Sequence, residues 1–305
     1  TMLAPCLPTI MPDMTFEEAL EVTKIHSVAG ELSEEGIVTL RPFRTPHHTA
    51  TTVSLCGGGN NRVRPGEISK AHNGVLFLDE LPEYTRSALE ALRQPLEDRQ
   101  ITVTRAGGTA TFPADFMLCA SMNPCPCGNY GSAELTCTCT PAQIKKYRAK
   151  ISGPLLDRID LQVAVDSVKY DDLISEGAEE TSAAVKARVE AARAVQRERF
   201  KDDGVRNNAN MGERQIKKYC RLDAGAGIHC NAQMNASQLA EFCKVDAASE
   251  ALLRTAFTRL GMSARAYTRI LKVARTIADL DYSSEIRKKH ILEAASYRSF
   301  DGDAL

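Results

Sequence analysis

No stretch of this 305-residue sequence approaches the run of about eighteen apolar residues that a membrane-spanning helix needs. Its first residues also lack a basic region followed by a long apolar core. Neither a membrane span nor a secretion signal is expected, and the reading is cytoplasmic. Net charge is lacking as well: 38 Lys and Arg stand against 39 Asp and Glu, giving −1. So balanced a chain has no global attraction for nucleic acid, and any such contact must come from local basic loops, multiplied by assembly. Internal repeats are missing, and so is low-complexity sequence outside one Asn-rich linker. The 10 cysteines do not make a disulfide scaffold in a chain this long, and they fit a reducing compartment. At 43% hydrophobic, the chain can bury a real core in one or two domains.

What is present is a series of strand ends that carry chemistry. After Gly74, the residues Val75-Leu76-Phe77-Leu78 run straight into Asp79-Glu80. A continuous apolar run suits a parallel strand covered on both faces, and ligands in open α/β sheets bind beyond the carboxyl ends of such strands. This reads as a Walker B motif, with Asp79 placed to hold Mg²⁺ and Glu80 to orient an attacking water. A buried strand ending in a solvated Asp-Glu turn has the same pattern. A second apolar run, Phe116-Met117-Leu118-Cys119-Ala120, enters Ser121-Met122-Asn123-Pro124. If the two strands are neighbours, Asn123 is a neutral donor beside the two acids, able to touch a terminal phosphate or its water. Further on, Leu155-Leu156-Asp157-Arg158-Ile159-Asp160 precedes a strand-like run from Leu161 to Val165, placing Arg158 at an element boundary. There it could reach a nucleotide on a neighbouring subunit, or pair with Asp157 or Asp160.

Two close cysteine pairs, Cys125 with Cys127 and Cys137 with Cys139, offer four thiolates, a set that fits tetrahedral Zn²⁺. The spacing within each pair is one residue shorter than usual, and buried free thiols or a redox pair would read alike. His47 and His48 are adjacent, so they point in different directions, and no third metal ligand is near. A substrate-contact loop that includes Arg41 and Arg44 fits them better than a metal does, and a solvated basic turn fits equally well. Arg105 flanks Gly107-Gly108 and reads as a contact to a DNA phosphate or as an exposed strand-end arginine.

These residues, with Arg41-Pro42-Phe43-Arg44-Thr45-Pro46-His47-His48-Thr49, Gly57-Gly58-Gly59, Arg64 to Ser69, Asn123 to Gly128, Gly153 to Asp160 and Ser263-Ala264-Arg265-Ala266-Tyr267, resemble one family across nearly the whole chain. It is the AAA+ ATPases of the magnesium-chelatase subunit I class, and within it the bacterial ComM/YifB group. The resemblance implies an α/β fold, an AAA+ P-loop-type parallel sheet core with a carboxyl-terminal all-α lid. It implies ATP and Mg²⁺ as cofactors, a homo-hexameric ring and a DNA partner, with ATP hydrolysis driving branch migration. It makes Arg158 an arginine finger, Arg265 a second sensor, residues 100–113 a hairpin pointing into the pore, and the cysteines a structural zinc site. A chelatase-type motor acting on a protein partner for Mg²⁺ insertion into porphyrin shares the same core. In the family a G-x-x-x-x-G-K-[ST] loop precedes Met-Leu-Ala, which stands here at Met2-Leu3-Ala4. Thr1 is then the last residue of that loop. The loop's glycines, its lysine and the first strand are expected to lie before it, so the chain by itself could be a non-hydrolysing assembly or binding module.

Organisation follows from caps and turns. Thr15-Phe16-Glu17-Glu18 is a capping box for a helix ending near Gly30, and Thr85 caps a helix that Pro95 should kink near its end. Residues 36–66 read as an insertion of loops and short strands, and residues 100–113 as a hairpin. Pro141 follows the Thr140 cap as a first-turn proline. The AAA+ core is assigned to residues 1–200, a linker to 201–211 and a helical lid to 212–305. In the lid Asp246, Ser263, and Ser283 or Ser284 are expected to cap successive helices, with Arg269 and Arg275 solvated.

Overall fold

The computed structural model describes residues 2–32, 36–59, 62–105, 108–132, 134–165, 180–201, 208–211, 215 and 264–298. The chain divides into two compact units, one dominated by residues 1–158 and the other formed by residues 159–165 and 184–304.

The first unit is α/β, built on a parallel three-stranded sheet. Strands β1 (Phe43–Arg44), β4 (Val75–Leu78) and β7 (Met117–Ala120) lie in the order β1-β4-β7. Every residue of β4 is buried, as its unbroken apolar run requires. The two predicted strands are immediate neighbours, paired from Val75 with Met117 through Leu78 with Ala120. The third strand comes from residues 36–66, read in the sequence as an insertion. Phe43 pairs with Val75 and Arg44 with Leu76, so this stretch completes the central sheet. Gly74 permits the approach: a Cβ there would lie 2.0 Å from the Pro42 carbonyl oxygen. The same carbonyl accepts from the Val75 N–H at 2.8 Å. The rest of the segment forms the helix Thr52–Cys56 and a short antiparallel ribbon, β2 (Gly57–Gly58) with β3 (Arg64–Pro65).

The capping residues act as their chemistry dictates. Thr15 and Glu18 close a reciprocal capping box on the helix Phe16–Ala29, which stops at Gly30 in the left-handed conformation at φ 77°. Thr85 caps Arg86–Ala91; a second segment, Arg93–Asp98, follows it, with the break at Leu92 ahead of Pro95. Pro95 has no N–H to give the Ala91 carbonyl, which is why the helix divides there. The expected hairpin forms from β5 (Gln100–Arg105) and β6 (Gly108–Pro113), with Ile101 and Val103 in the core and threonines on the outer face. Leu55, Ile68, Leu76, Leu78, Leu89, Leu92 and Leu155 make up much of that core.

Apart from residues 159–165, the second unit is mainly helical where it is described. The helices Ser182–Phe200, Ala264–Leu280 and Lys288–Ser296 pack around Phe200, Ile270, Leu271, Ala274 and Ile291. It includes the helix Ser182–Phe200, which the sequence reading sets in the core ahead of the linker at 201–211. Three expectations change here. Leu161 to Val165 form no strand; Leu161, Val163 and Val165 are exposed, and the Gln162 N–H donates to the Tyr297 carbonyl at 2.8 Å. The last helix is capped at Arg287, whose N–H donates to the His290 ring at 2.9 Å, not at Ser283 or Ser284. Arg275 is not solvated but buried against Asp279, and Arg269 pairs with Asp160. Asp246 and Ser263 lie outside the described residues.

Candidate nucleotide-hydrolysis site

At the carboxyl end of β4 the chain turns sharply. Glu80 adopts the left-handed region at φ 52°, uncommon for a residue with a side chain, and Leu81–Glu83 follow as a single 3₁₀ turn. The turn swings the Glu80 side chain out to 56% exposure, directly after the buried strand. Asp79 is held from two sides. Its Oδ1 accepts the Glu80 N–H at 3.0 Å and a short hydrogen bond from the Ser121 hydroxyl. Ser121 also joins the backbones, donating its N–H to the Leu78 carbonyl at 3.0 Å and accepting the Leu81 N–H at 2.9 Å. The end of β7 is thereby fastened to the acid-bearing turn. Carboxylate and hydroxyl oxygens are the hard donors that suit Mg²⁺.

Sequence reasoning missed Ser121 because a serine at a strand end has no spacing signature; only the β4–β7 register sets it against Asp79. Asn123, two residues on, is exposed, and its backbone bonds to the Tyr147 hydroxyl. Burial is the main reason the Tyr147 hydroxyl titrates above its usual range, with the charge of Glu83 adding to it.

His48 reaches the same turn from the loop after β1. Its Nδ1 is 3.2 Å from a Glu80 carboxylate oxygen. The His47 and His48 rings lie 4.0 Å apart between centroids, and His48 meets Tyr84 edge-on at 6.5 Å. Tyr84 is buried and its hydroxyl donates to the Pro46 carbonyl, which pins the histidine loop to the turn. Burial, and then the charge of Asp79, push the Tyr84 hydroxyl up to about 12, so it stays a donor.

The arginines read as substrate contacts have internal partners. Arg41 donates to the carbonyls of Pro12, Asn73 and Asp13 and to Glu18, tying the amino-terminal helix to the sheet. Arg44 forms a two-pronged pair with Glu67 at 2.6 and 3.0 Å. Arg105 bonds the Gly57 carbonyl at 3.3 Å, anchoring the hairpin to the glycine ribbon. Arg158 is only 8% exposed; it donates to the Pro154 carbonyl at 2.6 Å and pairs with Glu97, rather than with Asp157 or Asp160. It lines an open recess of about 360 Å³ with Glu90, Arg93, Gln94 and Asp98. Arg265 lies in the first turn of Ala264–Leu280, and neither its side chain nor Thr1 falls within the described structure.

Just beyond Asn123 the four cysteines converge. The Sγ atoms of Cys125, Cys127, Cys137 and Cys139 all lie within 4.8 Å of one another, with separations of 3.4, 3.6 and 3.7 Å among the first three. No disulfide joins them. A tetrahedron with Zn–S bonds of about 2.3 Å has edges of about 3.8 Å, so this set fits one such ion. Backbone donors at Asn129 and Thr138 bring the Cys127 thiol down to about 5, whereas burial foremost pushes Cys139 up to about 12.

The family model for magnesium chelatase, subunit ChlI, matches residues 1–173, and that for the ChlI carboxyl-terminal region matches 179–228 and 224–298. The protein YifB of Salmonella typhimurium is 41% identical over 303 residues, 99% of this chain and 54% of the relative. The competence protein ComM of Haemophilus influenzae is 42% identical over 302 residues, 98% of this chain and 53% of the relative. The magnesium-chelatase 67 kDa subunit of Chlorobaculum parvum is 36% identical over 66 residues, 22% of this chain. The chain spans about half the length of the first two relatives. It belongs to the magnesium-chelatase subunit I family and, within it, to the ComM/YifB group.

Proposed function

We propose that this member of the magnesium-chelatase subunit I family supplies the hydrolytic half of an ATP-driven motor whose full-length form works on DNA as a homo-hexameric ring. The observation that carries the reading is the β4–β7 register, which brings the Asp79-Glu80 turn beside Ser121 at the ends of two neighbouring strands, with Asn123 two residues further along the chain. Asp79 would hold the Mg²⁺ that accompanies ATP, and Mg²⁺ would supply charge neutralisation at the phosphates. Glu80 positions a water for attack on the γ-phosphorus and takes up its proton as the bond to the β-phosphate oxygen breaks and ADP leaves. Asn123 donates to the terminal phosphate. Arg158 acts on the nucleotide of the neighbouring copy, after exchanging Glu97 for phosphate. Thr1 and Arg265 complete the nucleotide site, and Cys125, Cys127, Cys137 and Cys139 would hold one Zn²⁺ that would fix the loop after Asn123. The hairpin with Arg105 faces the DNA.

The DNA reading draws on ComM, a competence protein that matches this chain over 98% of its length. The chelatase reading has behind it the ChlI family models and a 66-residue match to a magnesium-chelatase subunit. The test is steady-state ATP hydrolysis by the full-length protein, with and without forked DNA. Glu80→Gln should lower turnover about 10²-fold or more, the scale of general-base catalysis. Ser121→Ala should raise the Mg²⁺ concentration needed for half-maximal rate. Undiminished hydrolysis in Glu80→Gln would overturn the assignment, and hydrolysis indifferent to DNA would favour a protein substrate.

A further inference from the structure

The outer face of the helix Pro141–Arg148 plays no part in the site just described. Its inner face is engaged, with Ile144 and Tyr147 buried and Tyr147 bonded to the Asn123 backbone. Outside, Lys145 and Lys146 are exposed, and neither forms an ion pair among the described residues. Arg148 turns back over the cysteine loop. Its guanidinium stands 5.1 Å from the centroid of the Tyr130 ring, and its Nε donates to the Pro124 carbonyl at 3.4 Å. Tyr130 itself remains 47% exposed. Lys150 extends the basic line but is neutralised by Glu83 at 3.1 Å.

The helix dipole gives a reason for cations in the last turn. It gives none for an aromatic ring left open to solvent with an arginine set against it. A ring so held, on a loop that four clustered thiols can fix, is a stacking platform, and Lys145 and Lys146, exposed on the helix that carries Arg148, suit phosphates. We propose that Tyr130, Lys145 and Lys146 form a contact site for single-stranded nucleic acid. One unpaired base stacks on Tyr130, and the lysines neutralise the adjoining phosphates. An acidic protein segment would satisfy the lysines but leave the ring without a partner, and a duplex keeps its bases stacked inside. The inference rests on the DNA reading above and places a strand contact beside the Asn123 strand end.

The test is fluorescence anisotropy of a labelled thymidine oligonucleotide titrated with the full-length protein at several salt concentrations. Tyr130→Ala should weaken binding about tenfold or more, the scale of one stacked base, and Tyr130→Phe should restore it. Lys145→Ala with Lys146→Ala should flatten the slope of log affinity against log salt by about 1.4, at about 0.7 per phosphate contact on a single strand. Unchanged thermal unfolding and metal content in these variants exclude misfolding. Wild-type protein without affinity for the oligonucleotide would sink both this site and the DNA reading. Wild-type binding that all three substitutions leave intact would overturn this site alone. Displacement by polyglutamate, with Tyr130→Ala as tight as wild type, would assign the face to an acidic partner and overturn the proposal too.

Discussion

His48 Nδ1 stands 3.2 Å from the carboxylate of Glu80, although the two residues come from different sheet connections. The contact sets an imidazole against the one acid that the left-handed turn after β4 pushes into solvent. An exposed pair of this kind is worth about 0.2–1 kcal/mol. Orientation of Glu80 by His48 is therefore worth about fivefold in rate at most. His48→Ala should lower the turnover number by a few-fold with little change in KM for ATP, and His48→Gln, which keeps a donor, should recover part of it. A change confined to KM would place His48 in substrate binding instead.

Arg158 is bonded to Glu97 and Pro154 in the single chain, so the role proposed for it on a neighbour's nucleotide demands exchange of partners on assembly. Full-length Glu80→Gln and Arg158→Ala should each be inactive, and mixtures of the two should regain activity, since an interface between them can hold one intact Glu80 and one intact Arg158. Mixtures that assemble normally yet stay inactive would show that Arg158 has a structural role with Glu97.

Elemental analysis of protein purified without chelator should find about one Zn per chain, set by the four-sulfur site. Cys137→Ser should lose that metal and lower the melting temperature. Metal-free wild type of unaltered stability would remove zinc from the account.

The second unit hangs on one buried carboxylate. Asp279 is 2% exposed and accepts from Arg199 at 2.9 Å, Asn208 at 2.9 Å and Arg275 at 3.2 Å. Asp279→Ala leaves buried guanidinium charge unmatched and should cost about 3–5 kcal/mol in denaturant unfolding. A loss under about 1 kcal/mol would mean that water or a rearranged partner replaces the acid.

Acid should loosen the first unit through Glu67. Burial acts most strongly and would raise this carboxyl, but the bonds and charges of Arg44 and Lys70 together outweigh it and hold the group below its ordinary value. A carboxylate so depressed stabilises fully above its unfolded pKa of about 4.3, and that stability disappears as pH falls through the lower folded value. Glu67→Gln should be less stable than wild type at pH 7, with the gap closing below about pH 4. A gap independent of pH would exclude the ion pair as its cause.

Short-range patterns in the sequence determined the strand Val75–Leu78, the hairpin Gln100–Pro113, the caps at Thr15, Thr85 and Thr140, and the clustering of four cysteines. Each depends on residues a few positions apart, where periodicity and side-chain-to-backbone bonds act directly. Tertiary structure alone decided which distant groups meet. Phe43–Arg44 becomes a central-sheet strand because Gly74 lets Pro42 approach, and that path carries His48 to Glu80. Ser121 reaches Asp79 only through the strand register. Arg41, Arg44 and Arg158 look alike in sequence, as long cations among many others. Their partners Glu18, Glu67 and Glu97 emerge only when folding removes the water that would otherwise solvate each charge.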